Sequence, residues 1–341
     1  MKSIAASVDA LLPSFLTAYG PPGREAGIRA TLRRSLRGLG TLTEDRTGNL
    51  LLHKPGKGPR LLLAVSMDAP GVIVTRIEGT GLGRVTLLGG RAPAELIGAT
   101  ILFEEGGRAL LGYDRGRGSK DGAELEPDQL FLETGLGPKE AGRRFPVGTV
   151  GAIQDEPFRL GELWCAANLD NRAGCAAVVA ALRGTGVIRY DLHVAFTVQS
   201  DLGARGAITG TFGIDPEIGV VVDVAHADPK EAGGPSLGKG PCLGLKEEGY
   251  LAHPLVLELL KRAATAARVK TQWLIRESEG SDARAVRASR AGVPTALLAI
   301  PARRSGGPIS LVHARDLVDT ANLVARLLTT PPSKQPKGGS R

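Results

Sequence analysis

Three apolar runs in this chain stop abruptly at acidic residues, and that pattern leaves few folds open. Residues 61–65 run into Ser66, Met67 and Asp68; residues 193–198 into Gln199, Ser200 and Asp201; residues 218–222 into Asp223. A fourth acidic position, Asp170, opens Asp170-Asn171-Arg172 ahead of an Ala-rich helical stretch. Apolar runs without alternation are typical of strands buried on both faces, as in parallel sheets covered by helices. In open α/β sheets the ends of such strands are where chemistry is placed.

The 341 residues are enough for one large domain carrying an insertion, or for two domains. Hydrophobic content of 42% with 23% charge fits a globular protein, and only 4% aromatic residues means an aliphatic core. The net charge of +8 is spread as arginine over helix faces without interleaved aromatics. That argues against a nucleic-acid partner. Three cysteines, Cys165, Cys175 and Cys242, have no paired spacing and read as buried thiols in a reducing compartment, the cytoplasm. Residues 1–20 contain Asp9 and Pro13 and no small-residue cleavage site, so they read as a packed helix rather than a signal peptide. No apolar run approaches the ~20 residues of a membrane span, so no membrane partner is expected.

Residues 24–39 carry Ile28, Leu32, Leu36 and Leu39 at helical spacing, and strands follow at 50–52 and 61–65. From about 71 to 160 short apolar runs alternate with glycine turns, the pattern of an all-β module, a small barrel. After 163 the α/β rhythm returns. It predicts helices at 173–183, 254–268 and 282–291, a last helix through Leu317, Ala321, Val324 and Leu328, and strands at 193–198, 218–223, 270–276 and 295–300. The expected architecture is a three-layer α/β domain from 1–70 and 162–332, interrupted by a β-barrel at 71–161. A polar tail at 333–341, beyond Pro331-Pro332, is expected to be disordered.

A two-metal hydrolase needs a bridging carboxylate, further carboxylate or imidazole ligands, and a separate carboxylate to activate water. Asp170, Asp201 and Asp223 are candidate carboxylate ligands, and Asp68 could orient a neighbouring ligand.

The motifs that surround these positions resemble those of the tetrahedral aminopeptidases, the glutamyl/leucyl type of co-catalytic metallopeptidase. The likeness extends from about 18 to 330. It rests on the segment 19–25, Thr47-Gly48-Asn49-Leu50, Leu88-Gly89-Gly90, Leu169-Asp170-Asn171-Arg172-Ala173-Gly174-Cys175, Gln199 to Gly203 with Arg205-Gly206-Ala207, Leu237-Gly238-Lys239-Gly240-Pro241 and Gly280-Ser281-Asp282-Ala283. The resemblance implies a bridging Asp at Asp170, a ligand Asp at Asp223, and a Glu ligand replaced by Asp201. It also implies that both ligand histidines are lost, to Ser66 and Gly306, and that the general base is lost to Ser200, while Asp68 is retained.

An all-oxygen set would bind the family's Zn²⁺ or Co²⁺ weakly or not at all, and would better suit Mg²⁺ or Mn²⁺. Crowded carboxylates require a compensating cation, for which Arg304 is the candidate; His226 reads as a solvated loop residue. The main expectation is therefore a catalytically inert or severely impaired homologue that retains peptide binding or a place in an assembly. An active metal-dependent aminopeptidase with an altered site is the alternative. The resemblance further implies homo-oligomers, from dimer to dodecamer, and a third expectation is a structural subunit that co-assembles with an active paralogue.

Overall fold

The computed structural model of the chain describes residues 3–89, 92–114, 126–227, 234–277, 280–303 and 307–332. The expected tail at 333–341 and the positions Arg304 and Gly306 lie outside the described residues.

Four strands form the parallel centre of a twelve-stranded sheet: Asp191–Thr197, Arg60–Ser66, Ile218–His226 and Thr295–Arg303 lie side by side in that order. Both faces of each are buried, which is why their sequences are continuously apolar. Alternation then sorts their side chains. Leu61, Leu63 and Val65 pack with the helices Ile4–Leu16, Leu169–Gly184, Pro254–Ala267 and Ala314–Thr329 on one face. Leu62, Ala64, Val221 and Ala225 pack with the helices Arg205–Ile214 and Ala283–Arg287 on the other. The result is a three-layer α/β fold. Asp223 shares the parity of Val221 and Ala225, so the period of two places it toward the second face.

Directly after the strand Arg60–Ser66 and its four-residue exit, the chain enters a second unit. Gly71–Ile77, Gly83–Leu88, Leu130–Glu133, Arg108–Tyr113, Thr100–Phe103 and Val150–Ile153 close into a six-stranded antiparallel barrel filled by Val72, Val74, Ile101, Leu111, Leu130 and Leu132. The next strand, Phe158–Leu160, pairs with Leu163–Ala166 and so belongs to the main sheet.

The helix Arg205–Ile214 is invisible to periodicity because Gly206, Gly210 and Gly213 interrupt its pattern. Its glycines answer to packing instead. A Cβ on Gly206 would stand 2.3 Å from Asn49 Oδ1 and 2.5 Å from the Val198 nitrogen. The helix therefore lies against the exit of the strand Asp191–Thr197, held there by the fully buried Asn49. The Val198 N–H donates to Asn49 Oδ1 (3.0 Å), and Asn49 Nδ2 donates to the Gly206 carbonyl (2.9 Å) and to Asp45 Oδ2 (2.7 Å). This clamp holds the turn 199–204, in which Gln199 (φ 53°) and Ala204 (φ 56°) both take left-handed backbone.

Asn49→Ala should therefore destabilise the protein by about 2–3 kcal/mol, since it leaves the buried Val198 N–H without an acceptor. Urea unfolding with an unchanged m-value would check this.

Candidate active site

The ends of the central strands meet in one cleft of about 260 Å³, lined by Ser66, Asp68, Asp170, Asn171, Ser200, Asp201, Asp223 and His226, with Arg276 and Arg284. Of the positions singled out in the sequence, all that fall within the described residues come together here. Gly306 and Arg304 lie outside the described residues.

Each wall has a local cause. Ser66 ends its strand, and its hydroxyl accepts from Asn171 Nδ2 at 3.3 Å. Asn171 also donates to the Val222 carbonyl (2.8 Å), tying the start of the helix Leu169–Gly184 to the neighbouring strand. Asp170, one residue earlier, has extended rather than helical backbone (φ −88°, ψ 106°), so it faces the cleft instead of joining the helix. The barrel contributes from outside: a Cβ on Gly89, in the turn after Gly83–Leu88, would lie 3.0 Å from Asp201 Cβ.

The electrostatics are dominated by crowded acids. Burial, then the neighbouring Asp201, pushes Asp68 well above the ordinary carboxylate range. Burial, then Asp170 and Asp282, does the same for Asp223, against which Arg276 acts. Asp282 is 2% exposed and is likewise raised by burial, while accepting hydrogen bonds from Thr197 Oγ1 (2.7 Å) and Ser200 Oγ (2.8 Å).

Among the described residues, a cation that faces these acids is Arg276, just past the strand Gln272–Ile275. Its guanidinium donates to Glu247 Oε2 at 2.8 Å, with side-chain exposures of 14% and 0%. Glu247 also accepts from the Ser281 N–H (2.8 Å) and from the Ser281 hydroxyl. The reading of His226 as a solvated loop residue is corrected: it ends the strand Ile218–His226 and lines the cleft, half-buried.

Arg276 and Asp282 were not picked out as site residues by sequence reasoning. An arginine after a strand is ordinarily a surface residue, and Asp282 stands out only as part of a motif. Their one sequence signal is position: Arg276 lies four residues before Gly280-Ser281-Asp282-Ala283, the segment whose Ser281 shares its carboxylate partner.

For the divalent pair of a co-catalytic peptidase, the described residues of the cleft offer carboxylates and a single imidazole, His226, an oxygen-dominated set that does not match a nitrogen-rich Zn²⁺ or Co²⁺ pair. Asp68 Oδ1 is buried with no hydrogen-bond partner among the described residues. The hydroxyl of Ser200 is committed to Asp282. Two guanidinium groups share the space. Among the described residues, the group of three potential ligands with ligand atoms all within 4.8 Å of one another is His53, Asp191 and His193, away from the cleft.

The comparisons with known proteins agree with this fold. A family model described as M42 glutamyl aminopeptidase matches residues 48–323. The lysyl aminopeptidase of Pyrococcus furiosus is 32% identical over 300 residues, covering 83% of this chain and 85% of that protein. Among solved structures, aminopeptidase APDkam598 from the archaeon Desulfurococcus kamchatkensis superposes with a TM-score of 0.89 at 24% identity, covering 95% of both chains. The TET1 peptidase of Pyrococcus horikoshii does so with a TM-score of 0.82 at 22% identity, covering 94% of this chain and 99% of that one.

Arg276→Met should lower stability by about 2–3 kcal/mol, because it strands the fully buried Glu247 beside an acidic cleft. Arg276→Met combined with Glu247→Gln should lose less than Arg276→Met alone, which guanidinium unfolding of both variants would show.

Proposed function

The chain belongs to the M42 family of glutamyl aminopeptidases, and from that premise we propose that it is a peptide-binding member with its two-metal hydrolysis eroded. The observation that carries this is Ser200. It stands where the family's proton-accepting carboxylate falls, and its hydroxyl donates to Asp282 at 2.8 Å. A hydroxyl engaged in that way does not take a proton from water at neutral pH. The carboxylates of Asp170, Asp201 and Asp223 form an acidic wall suited to a peptide's α-ammonium group, with Arg284 on the lining for a carboxylate or carbonyl.

A second reading, an aminopeptidase working with an oxygen-bound ion such as Mg²⁺ or Mn²⁺, has its own support. The relative at 32% identity is named an aminopeptidase, and three aspartates still line the cleft. Site roles for Asp170, Asp201 and Asp223, with Ser66 and Gly306 at lost ligand positions, belong to this proposal.

We also place the protein in a homo-oligomer, supported by the TET1 neighbour, which can assemble into a tetrahedron or a large octahedral shell. Co-assembly with an active paralogue is the variant of this reading in which the cleft need not work. A cytoplasmic location is supported by three buried free thiols, Cys165, Cys175 and Cys242. Among the described residues no helix is long and apolar enough to cross a membrane.

The experiment is an assay on aminoacyl-p-nitroanilides with added Zn²⁺, Co²⁺, Mg²⁺ or Mn²⁺. No turnover above background is expected from the natural sequence. Turnover abolished by Asp170→Ala would establish the second reading. Restoring the family's residues together, as Ser66→His, Gly306→His and Ser200→Glu, should confer Zn²⁺-dependent hydrolysis. Light scattering coupled to size exclusion should show a species larger than the 35.5 kDa monomer.

A further inference from the structure

At the opposite edge of the sheet from the cleft stands an imidazole pair that the activity of the family does not use. His53, on the strand Leu50–Lys54, and His193, on Asp191–Thr197, are directly paired across an antiparallel ladder. Their rings stack at 4.2 Å with planes 14° apart. Asp191, two residues before His193 and so on the same face, reaches both: its Oδ1 lies 2.8 Å from His53 Nε2 and its Oδ2 lies 3.4 Å from His193 Nε2. His193 pairs with Leu62 while Thr197 pairs with Ser66, so four residues, ~13 Å of strand, separate the cluster from the strand ends at the cleft.

We propose that His53, Asp191 and His193 bind a single borderline divalent cation, Zn²⁺ or a similar ion, independently of the cleft. The ligand atoms all lie within 4.8 Å of one another, and those of a tetrahedral Zn²⁺ stand ~3.3 Å apart. Modest rotations of three side chains therefore bring them onto one ion. The donor set, two nitrogens and one carboxylate oxygen with water as a fourth ligand, suits Zn²⁺, Ni²⁺ or Cu²⁺ rather than Mg²⁺. Access is open, with side-chain exposures of 40% for His53, 19% for His193 and 23% for Asp191. Gly56 N–H donates to Asp191 Oδ1 at 3.3 Å and orients that carboxylate. Without an ion, the same three residues would serve only as a hydrogen-bonded ladder between strands.

The test titrates ZnCl₂ into the untagged full chain after chelator treatment, followed by calorimetry. One equivalent should bind. His53→Gln and His193→Gln, singly and together, should weaken binding by at least on the order of 10- to 100-fold. Asp170→Asn with Asp223→Asn should leave it unchanged. His53 is the most exposed of the three, so His53→Gln is the variant that keeps its fold, which a thermal melt would verify. With Cu²⁺ as probe, electron paramagnetic resonance should show coupling to two imidazole nitrogens. The proposal is overturned if no heat appears up to ~1 mM Zn²⁺, or if His53→Gln binds as tightly as the natural chain. It is equally overturned if the cleft variants, not the histidine variants, abolish binding.

Discussion

Like charges gathered at one sheet edge are the constraint around which this protein is arranged. A parallel centre sends the ends of Arg60–Ser66, Asp191–Thr197 and Ile218–His226 to the same side, and each delivers a carboxylate there. Two carboxylates ~5 Å apart repel by ~3 kcal/mol at an effective dielectric of about 20. A co-catalytic peptidase offsets this with two dications. Among the described residues, protein groups supply part of such an offset. Burial keeps Asp68, Asp223 and Asp282 inclined to hold protons, Thr197 and Ser200 donate hydroxyls to Asp282, and Arg276 counters Asp223. The serine at position 200 fits this scheme, since a second carboxylate in its place would add one more charge to an already crowded edge.

The same reasoning accounts for Arg276 and Glu247. Arg276 is nearly buried because it answers two demands, the acidic cleft on one side and the fully buried Glu247 on the other. Glu247 in turn anchors Ser281, the residue before Asp282. The cation, its partner and the acceptor of the Ser200 hydroxyl thus form one connected structure behind the cleft. Asp68 Oδ1, left without a partner among the described residues, marks the place this scheme does not reach.

Much of this was legible in the sequence because parallel strands leave a strong signature: apolar runs, then acidic residues, then helical spacing. The barrel was legible from its short runs and glycine turns. What stayed hidden was held by tertiary contact rather than by pattern. The helix Arg205–Ile214 is glycine-rich because Asn49 and Val198 press against it. Arg276 could not be told from a surface arginine. The cross-strand pairing of His53 with His193 depends on register, which the sequence of either strand does not specify. Fold and family are shared with working aminopeptidases, yet the chemistry depends on a handful of donors that a fold does not guarantee.

The most direct measurement is an anomalous difference map at the zinc edge from a crystal grown with Zn²⁺. The account predicts no pair of peaks between Asp170, Asp201 and Asp223, and a single peak where His53, Asp191 and His193 converge. Two peaks a few Å apart in the cleft, bridged by Asp170, would contradict it.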